Sequence, residues 1–139
     1  YNSRLDEMQA AILRIKLKRI DQYNQQRHDN ASKYTKALAE FGIITPSESH
    51  DSTHVYHQYT LQDSHRDKIH AALSEQNIAS AIYYPKGLHQ QIAFTNNQPA
   101  VSLPITEKVS ANCLSLPMYP ELSSEQIDRI ISIFQQQLG

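Results

Sequence analysis

The 139 residues carry 13 basic and 14 acidic side chains, a formal net charge of −1, which excludes a polyanion-binding surface built on a global basic excess. With 40% hydrophobic and 19% charged residues the chain is globular, and its length is that of one domain able to bury a core without staples. A single cysteine, Cys113, excludes an internal disulfide, and three glycines (Gly42, Gly87, Gly139) exclude a glycine-rich phosphate loop by count alone. No apolar run approaches the about 20 residues of a membrane span, and the chain does not open with a secretory signal, so a cytoplasmic, non-membrane protein is expected.

In chain order, Leu5, Met8, Ile12, Ile15, Ile20 and Tyr23 recur at helical spacing, with Ser3 and Asp6 as an acidic variant of a capping box. No proline or glycine interrupts residues 1–41, so one helix is predicted from about Leu5 to about Glu40, stopped by Gly42. A polar loop over 45–53 leads to a strand from about His54 to Gln62, with Val55, Tyr59 and Leu61 on one face. Ser64 and Asp67 open a short helix with the stripe Ile69, Ala72 and Leu73, closed at Asn77. Ile78 to Tyr84 reads as a second strand, ended by Pro85. Residues from about Lys86 to Pro104 read as irregular, with turns at Asn96, Asn97 and Pro99. Thr106 is the expected cap of another helix to about Asn112, and Cys113–Leu116 the third strand. Pro117 and Pro120 bracket a turn, and Ser123 with Gln126 forms a capping box for a last helix with the stripe Ile127, Ile130, Ile131 and Phe134. The predicted fold is α+β: a long N-terminal helix and a small, mainly antiparallel sheet of about three strands covered by helices on one side.

Few constellations point to chemistry by themselves. His54 and His57 have opposite parity on the predicted strand, so they do not chelate together, and no metal site is assigned. Cys113 reads as a core residue, and Asp6 and Glu7 as partners of the helix dipole. Tyrosine is the unusual residue, with 8 Tyr against 3 Phe and no Trp. Tyr56, Tyr59, Tyr83, Tyr84 and Tyr119 lie on strands or adjoining turns, and two readings stay open: core residues with a polar tip, or the lining of a pocket for a polar ligand.

Five strings then fall in one order along nearly the whole chain: YNSRLDEMQAA from Tyr1, VYHQY from Val55, YYPKGLH from Tyr83, LPITEK from Leu103 and LSLPMYP from Leu114. Together they resemble the C-terminal portion of the DegT/DnrJ/EryC1/StrS aminotransferases, pyridoxal-phosphate (PLP) enzymes that act on nucleotide-linked keto sugars. The resemblance implies that residues 1–139 are the C-terminal domain of a fold-type I PLP enzyme, with 1–41 a long inter-domain helix and 42–139 a small α+β domain. It implies a cofactor contact by Asn2, to the phosphate held by the other subunit of a homodimer with shared active sites. It places Arg4, Tyr83 and Tyr84 at the substrate. Tyr83 stands where many members have histidine, and Gly87 where proline is usual, which suggests a more mobile loop. The family's Schiff-base lysine has no counterpart among Lys16, Lys18, Lys33, Lys36, Lys68, Lys86 and Lys108, so no catalytic residue is assigned and this stretch alone is expected to be inactive. The expected partners are a nucleotide-linked sugar and an amino donor, glutamate in most of the family. A PLP-dependent sugar dehydratase, or a truncated non-catalytic dimerisation or binding module, are the alternatives.

Overall fold

The structure is a computed structural model that describes residues 3–95 and 101–139. Its order is α1 (Glu7–Leu17), α2 (Ile20–Leu38), β1 (Tyr59–Gln62), α3 (Arg66–Glu75), α4 (Ile92–Thr95), α5 (Pro104–Asn112), β2 (Cys113–Leu116) and α6 (Ser124–Leu138), with 3₁₀ turns at Ala39–Phe41 and Leu88–Gln90. This is an α+β arrangement that departs from the sequence expectation in several elements.

The first helix is two helices. Arg19 leaves helical geometry (φ −118°, ψ 5°) and its N–H turns back to the Lys16 carbonyl at 3.0 Å. Neither proline nor glycine marks the place. The break separates a helix that buries none of its residues, α1, from one that buries Asn30, Ala31, Tyr34 and Leu38. The N-cap is Asp6 rather than Ser3: its Oδ1 accepts from Met8 N at 2.9 Å and Gln9 N at 3.2 Å. Gly42 ends the run as expected, in the left-handed region at φ 68°.

The predicted strand from His54 contracts to β1, because Tyr56 adopts a left-handed backbone (φ 45°) that breaks the alternation. Val55 is exposed instead of sharing the inner face with Tyr59 and Leu61, and Tyr56 turns inward. Ile78–Tyr84 is not a strand. Only Ala81 pairs, exchanging N–H···O bonds of 3.1 and 2.7 Å with Ser115. The sheet is therefore two antiparallel strands, flanked by single bridges at Ile44–Gln62 and Ala81–Ser115, rather than three strands. Two helix starts also differ. Asp63 rather than Ser64 accepts the His65 N–H, and α5 begins on Pro104 at its first turn rather than on a Thr106 cap. The stretch expected to be irregular contains the Leu88–Gln90 turn and α4; the turns expected at Asn96, Asn97 and Pro99 lie outside the described residues.

Pairing of Tyr59 with Leu116 and of Leu61 with Leu114 puts all four on the core face. Tyr34 and Leu38 of α2, Ile69 and Leu73 of α3, and Ile127, Ile130, Ile133 and Phe134 of α6 close over it. The α6 cap is the predicted box: Ser123 Oγ accepts the Gln126 N–H at 3.3 Å, and Gln126 Oε1 accepts the Ser123 N–H at 2.9 Å.

Phe134 is fully buried, so Phe134→Ala should cost about 3–5 kcal/mol, read from denaturant unfolding followed by circular dichroism. Met8 and Ile15 on α1 are 75% and 69% exposed, with Leu5, Ile12 and Leu17 beside them. The 139-residue chain by itself should bind an apolar-surface dye and self-associate in sedimentation; a dye-negative, strictly monomeric chain would count against it.

Candidate functional site

The backbone between α3 and α4 carries Tyr83 and Tyr84. With no strand there, the alternation rule does not apply, and both side chains reach the surface: Tyr83 is 47% and Tyr84 73% exposed, their rings edge-on at 5.7 Å. Tyr83 lines an open cleft of ≈ 450 Å³ together with His57, Gln58, Ser80 and Ser115. Ser115 is buried and its hydroxyl lies 2.8 Å from Thr60 Oγ1 across the strand pair. A second cleft of ≈ 360 Å³ shares His57 and Gln58 and extends to Pro46 and His54. Of the candidate residues, Arg4 is exposed on the approach to α1, on an element separate from this cleft, and Asn2 lies outside the described residues. Tyr84 does not line the cleft that Tyr83 lines.

His57, Gln58 and Ser80 are site residues that the sequence reading left unassigned. The VYHQY string marked the segment, and its parity holds for Gln58 and Tyr59, but it is broken at Tyr56, so the faces read for Val55 and Tyr56 are reversed.

The loop after Tyr84 is braced. Gly87 takes an extended backbone open to any residue (φ −63°, ψ 154°), so its requirement is space: a Cβ would stand 2.6 Å from His89 Cε1. His89 Nε2 meets Glu107 Oε1 at 3.1 Å, and the same oxygen accepts the Leu103 N–H at 2.9 Å. The Leu103 bond first, then the His89 contact, holds the Glu107 carboxyl below its ordinary value.

The lining of the Tyr83 cleft contains no lysine, arginine, aspartate or glutamate. Lys33 is committed to Ser124 Oγ at 2.7 Å and Lys68 to the Gln137 carbonyl at 2.8 Å, both ties to α6. PLP needs an amine for its aldehyde, a carboxylate for its ring nitrogen and donors for its phosphate. The described residues do not supply that set, and no step through the cofactor follows from them. What the cleft offers is a mixed lining, in which His57, Gln58, Ser80, Tyr83 and Ser115 are the polar side chains among apolar ones. Among the described residues no group of three His, Cys, Asp or Glu side chains is placed to hold a metal ion, and no helix is long and apolar enough to cross a membrane.

Comparison with known proteins decides the family. The profile described as the DegT/DnrJ/EryC1/StrS aminotransferase family matches residues 1–135. The chain belongs to that family. A "pleiotropic regulatory protein" of Geobacillus stearothermophilus is 44% identical over 94% of this chain and 36% of its own length. A UDP-N-acetyl-3-dehydro-alpha-D-glucosamine 3-aminotransferase of Acidithiobacillus ferrooxidans is 43% identical over 99% of this chain and 37% of its own. Among solved structures, S. venezuelae DesV superposes with a TM-score of 0.91 at 36% identity, over 99% of this chain and 38% of that one. The chain thus spans little more than a third of the length of the relatives it matches.

Glu107's depressed carboxyl sets a sign. Its contacts are intact above the ordinary carboxylate pKa and are lost as pH falls through the depressed value. His89→Ala should move the Glu107 titration, followed by carboxyl NMR, upward towards the free-glutamate range. Gly87→Ala should do the same in part, by displacing the His89 ring.

Proposed function

We propose that this chain is the C-terminal part of a fold-type I, PLP-dependent aminotransferase that converts the ketone of a nucleotide-linked sugar to an amine, with glutamate as donor and 2-oxoglutarate as its product. The observation that carries this reading is the continuous family match over residues 1–135, joined to a neutral cleft walled by Tyr83 of the matching YYP segment. PLP, held by the remainder of the full-length protein, supplies the electron sink for amino transfer. This chain's own part is to bind and orient. Tyr83 presents its phenol to the sugar within the cleft, where Ser80 and Ser115 are nearby polar groups, and Tyr84, exposed outside that lining, is assigned to the part of the substrate beyond it. We place α1 as the inter-domain connection: its apolar residues find no cover within this chain.

The residues before α1 are assigned to the neighbouring site of a homodimer. Asn2 donates its amide to the cofactor phosphate of the other subunit, and Arg4 faces that subunit's substrate, where a guanidinium fork suits a carboxylate or diphosphate. The assay is of full-length protein with nucleotide-linked keto sugars and glutamate, following the 2-oxoglutarate formed. The 139-residue chain alone should show no turnover and no borohydride-trapped cofactor on any of its lysines. Asn2→Ala should weaken cofactor retention by about 1.5–3 kcal/mol, the scale of a hydrogen bond to a charged group. Arg4→Ala should mainly raise KM for sugar or donor. Mixing full-length Arg4→Ala subunits with subunits lacking the catalytic lysine should partly restore activity, because one site of each heterodimer then carries neither defect. Verified heterodimers without recovery would assign Arg4 to its own subunit's site or to none.

A further inference from the structure

The cleft depends on a backbone turn that a histidine holds. Tyr56 is a bulky aromatic residue at φ 45°, a conformation that costs an L side chain energy and needs local support. Its N–H belongs to a residue only 6% exposed, and it donates to His54 Nδ1 at 2.9 Å. A backbone N–H has no other role than donor, so Nδ1 is the acceptor and the neutral ring carries its proton on Nε2. The His54 ring also stacks on the Tyr56 ring, with centroids 4.2 Å apart. A side-chain acceptor on residue i taking the N–H of residue i+2 is the geometry of an Asx turn, here closed by an imidazole. On the far side of Tyr56, His28 of α2 lies edge-on at 5.9 Å and holds Glu48 at 3.5 Å, while Tyr59 of β1 stands at 6.2 Å.

The two residues immediately after this turn are His57 and Gln58, which line the same cleft as Tyr83. Had the chain stayed extended through Tyr56, the alternation of β1 would have turned His57 inward with Tyr59, whereas Gln58 has the outward parity of Thr60 in either case. We infer that His54 is a positioning residue for this site: through Nδ1 and its ring it fixes the Tyr56 turn, which presents His57, beside Gln58, to a substrate lying against Tyr83. The inference rests on the reading of that cleft as part of the sugar site.

The test uses the full-length holoenzyme and three variants. His54→Leu removes the acceptor. His54→Asn keeps one at the same bond distance from the backbone, since Oδ1 stands where Nδ1 stood. His54→Gln moves it one atom outward. His54→Leu and His54→Gln should raise KM for the nucleotide-linked keto sugar about 3- to 10-fold, the effect of one misplaced neutral contact, with kcat within about twofold. His54→Asn should return KM to within about twofold of wild type. A role limited to stability would instead move the melting temperature of all three without this KM pattern. Ring ¹⁵N NMR of wild type should show Nδ1 unprotonated at neutral pH, an observation independent of activity. A protonated Nδ1, an unchanged KM in folded His54→Leu, or a His54→Asn enzyme as impaired as His54→Leu each overturns the inference. Wild type that turns over no nucleotide-linked keto sugar sinks the functional reading and the role of His54 at the cleft together. The ¹⁵N shift would still report whether the turn itself is held as described.

Discussion

Everything described turns on the contact between Tyr34 and Tyr59. Both side chains are fully buried with their rings 5.1 Å apart, one on α2 and the other on β1. Neither phenol is left unpaired. The Tyr34 hydroxyl donates to the Pro117 carbonyl at 3.3 Å, and the Tyr59 hydroxyl lies 2.8 Å from Thr35 Oγ1. Burial pushes the Tyr34 phenol far up and the Tyr59 phenol up to about 12, so both stay neutral across the physiological range. One aromatic pair thus fixes α2 against the sheet and against the turn after β2. Asn30 adds a second tie to that turn through the Tyr119 carbonyl at 3.2 Å. Tyrosine suits the task where phenylalanine does not: each ring fills core volume, and each hydroxyl reaches a polar group beyond the apolar layer.

That arrangement explains why the two clefts sit where they do. The inner face of the β1–β2 pair is spent on Tyr59, Leu61, Leu114 and Leu116. The outer face then carries Thr60 and Ser115, and the segment beside the free edge of β2 pairs only through Ala81. A full third strand would have continued the ladder along that edge. A single bridge leaves room beside it, and the cleft opens there between His57, Gln58 and Tyr83. Arg66 steadies the neighbouring corner: it is nearly buried, and its Nη1 points at the Cys113 carbonyl at 3.3 Å, where α5 gives way to β2.

Much of this was legible in the residues. The stripes of α3 and α6, the Ser123–Gln126 box, the Gly42 stop and the β2 span were all readable, because each rests on a local rule that the tertiary structure reinforces. The failures share a cause. The break at Lys18–Arg19, the truncated strand before Tyr59 and the lone bridge at Ala81 are set by what each segment packs against, and a helical or alternating pattern carries no record of that. Asp6 displaced Ser3 as the cap because the helix begins two residues later than its first apolar residue, Leu5. The site was readable only through the family strings, which located the YYP segment and marked VYHQY without showing which of its side chains turn outward.

Tyr56 links the core to the cleft. Sequence parity assigned it away from Val55, Tyr59 and Leu61, yet it packs beside Tyr59 with centroids 6.2 Å apart. The two tyrosines are three positions apart, an interval that regular alternation cannot place on one face, and the left-handed backbone at Tyr56 supplies the missing half-turn. The phenol gained by the core is pushed up in pKa, first by burial and then by the Glu48 carboxylate beside it, which ties the loop back towards His28 of α2. The same half-turn that adds Tyr56 to the core turns His57 outward, beside Gln58, which shares the outward parity of Thr60. Core packing and site geometry at this point are therefore one structural event: a sequence able to form the regular strand here would bury a different residue and turn His57 inward.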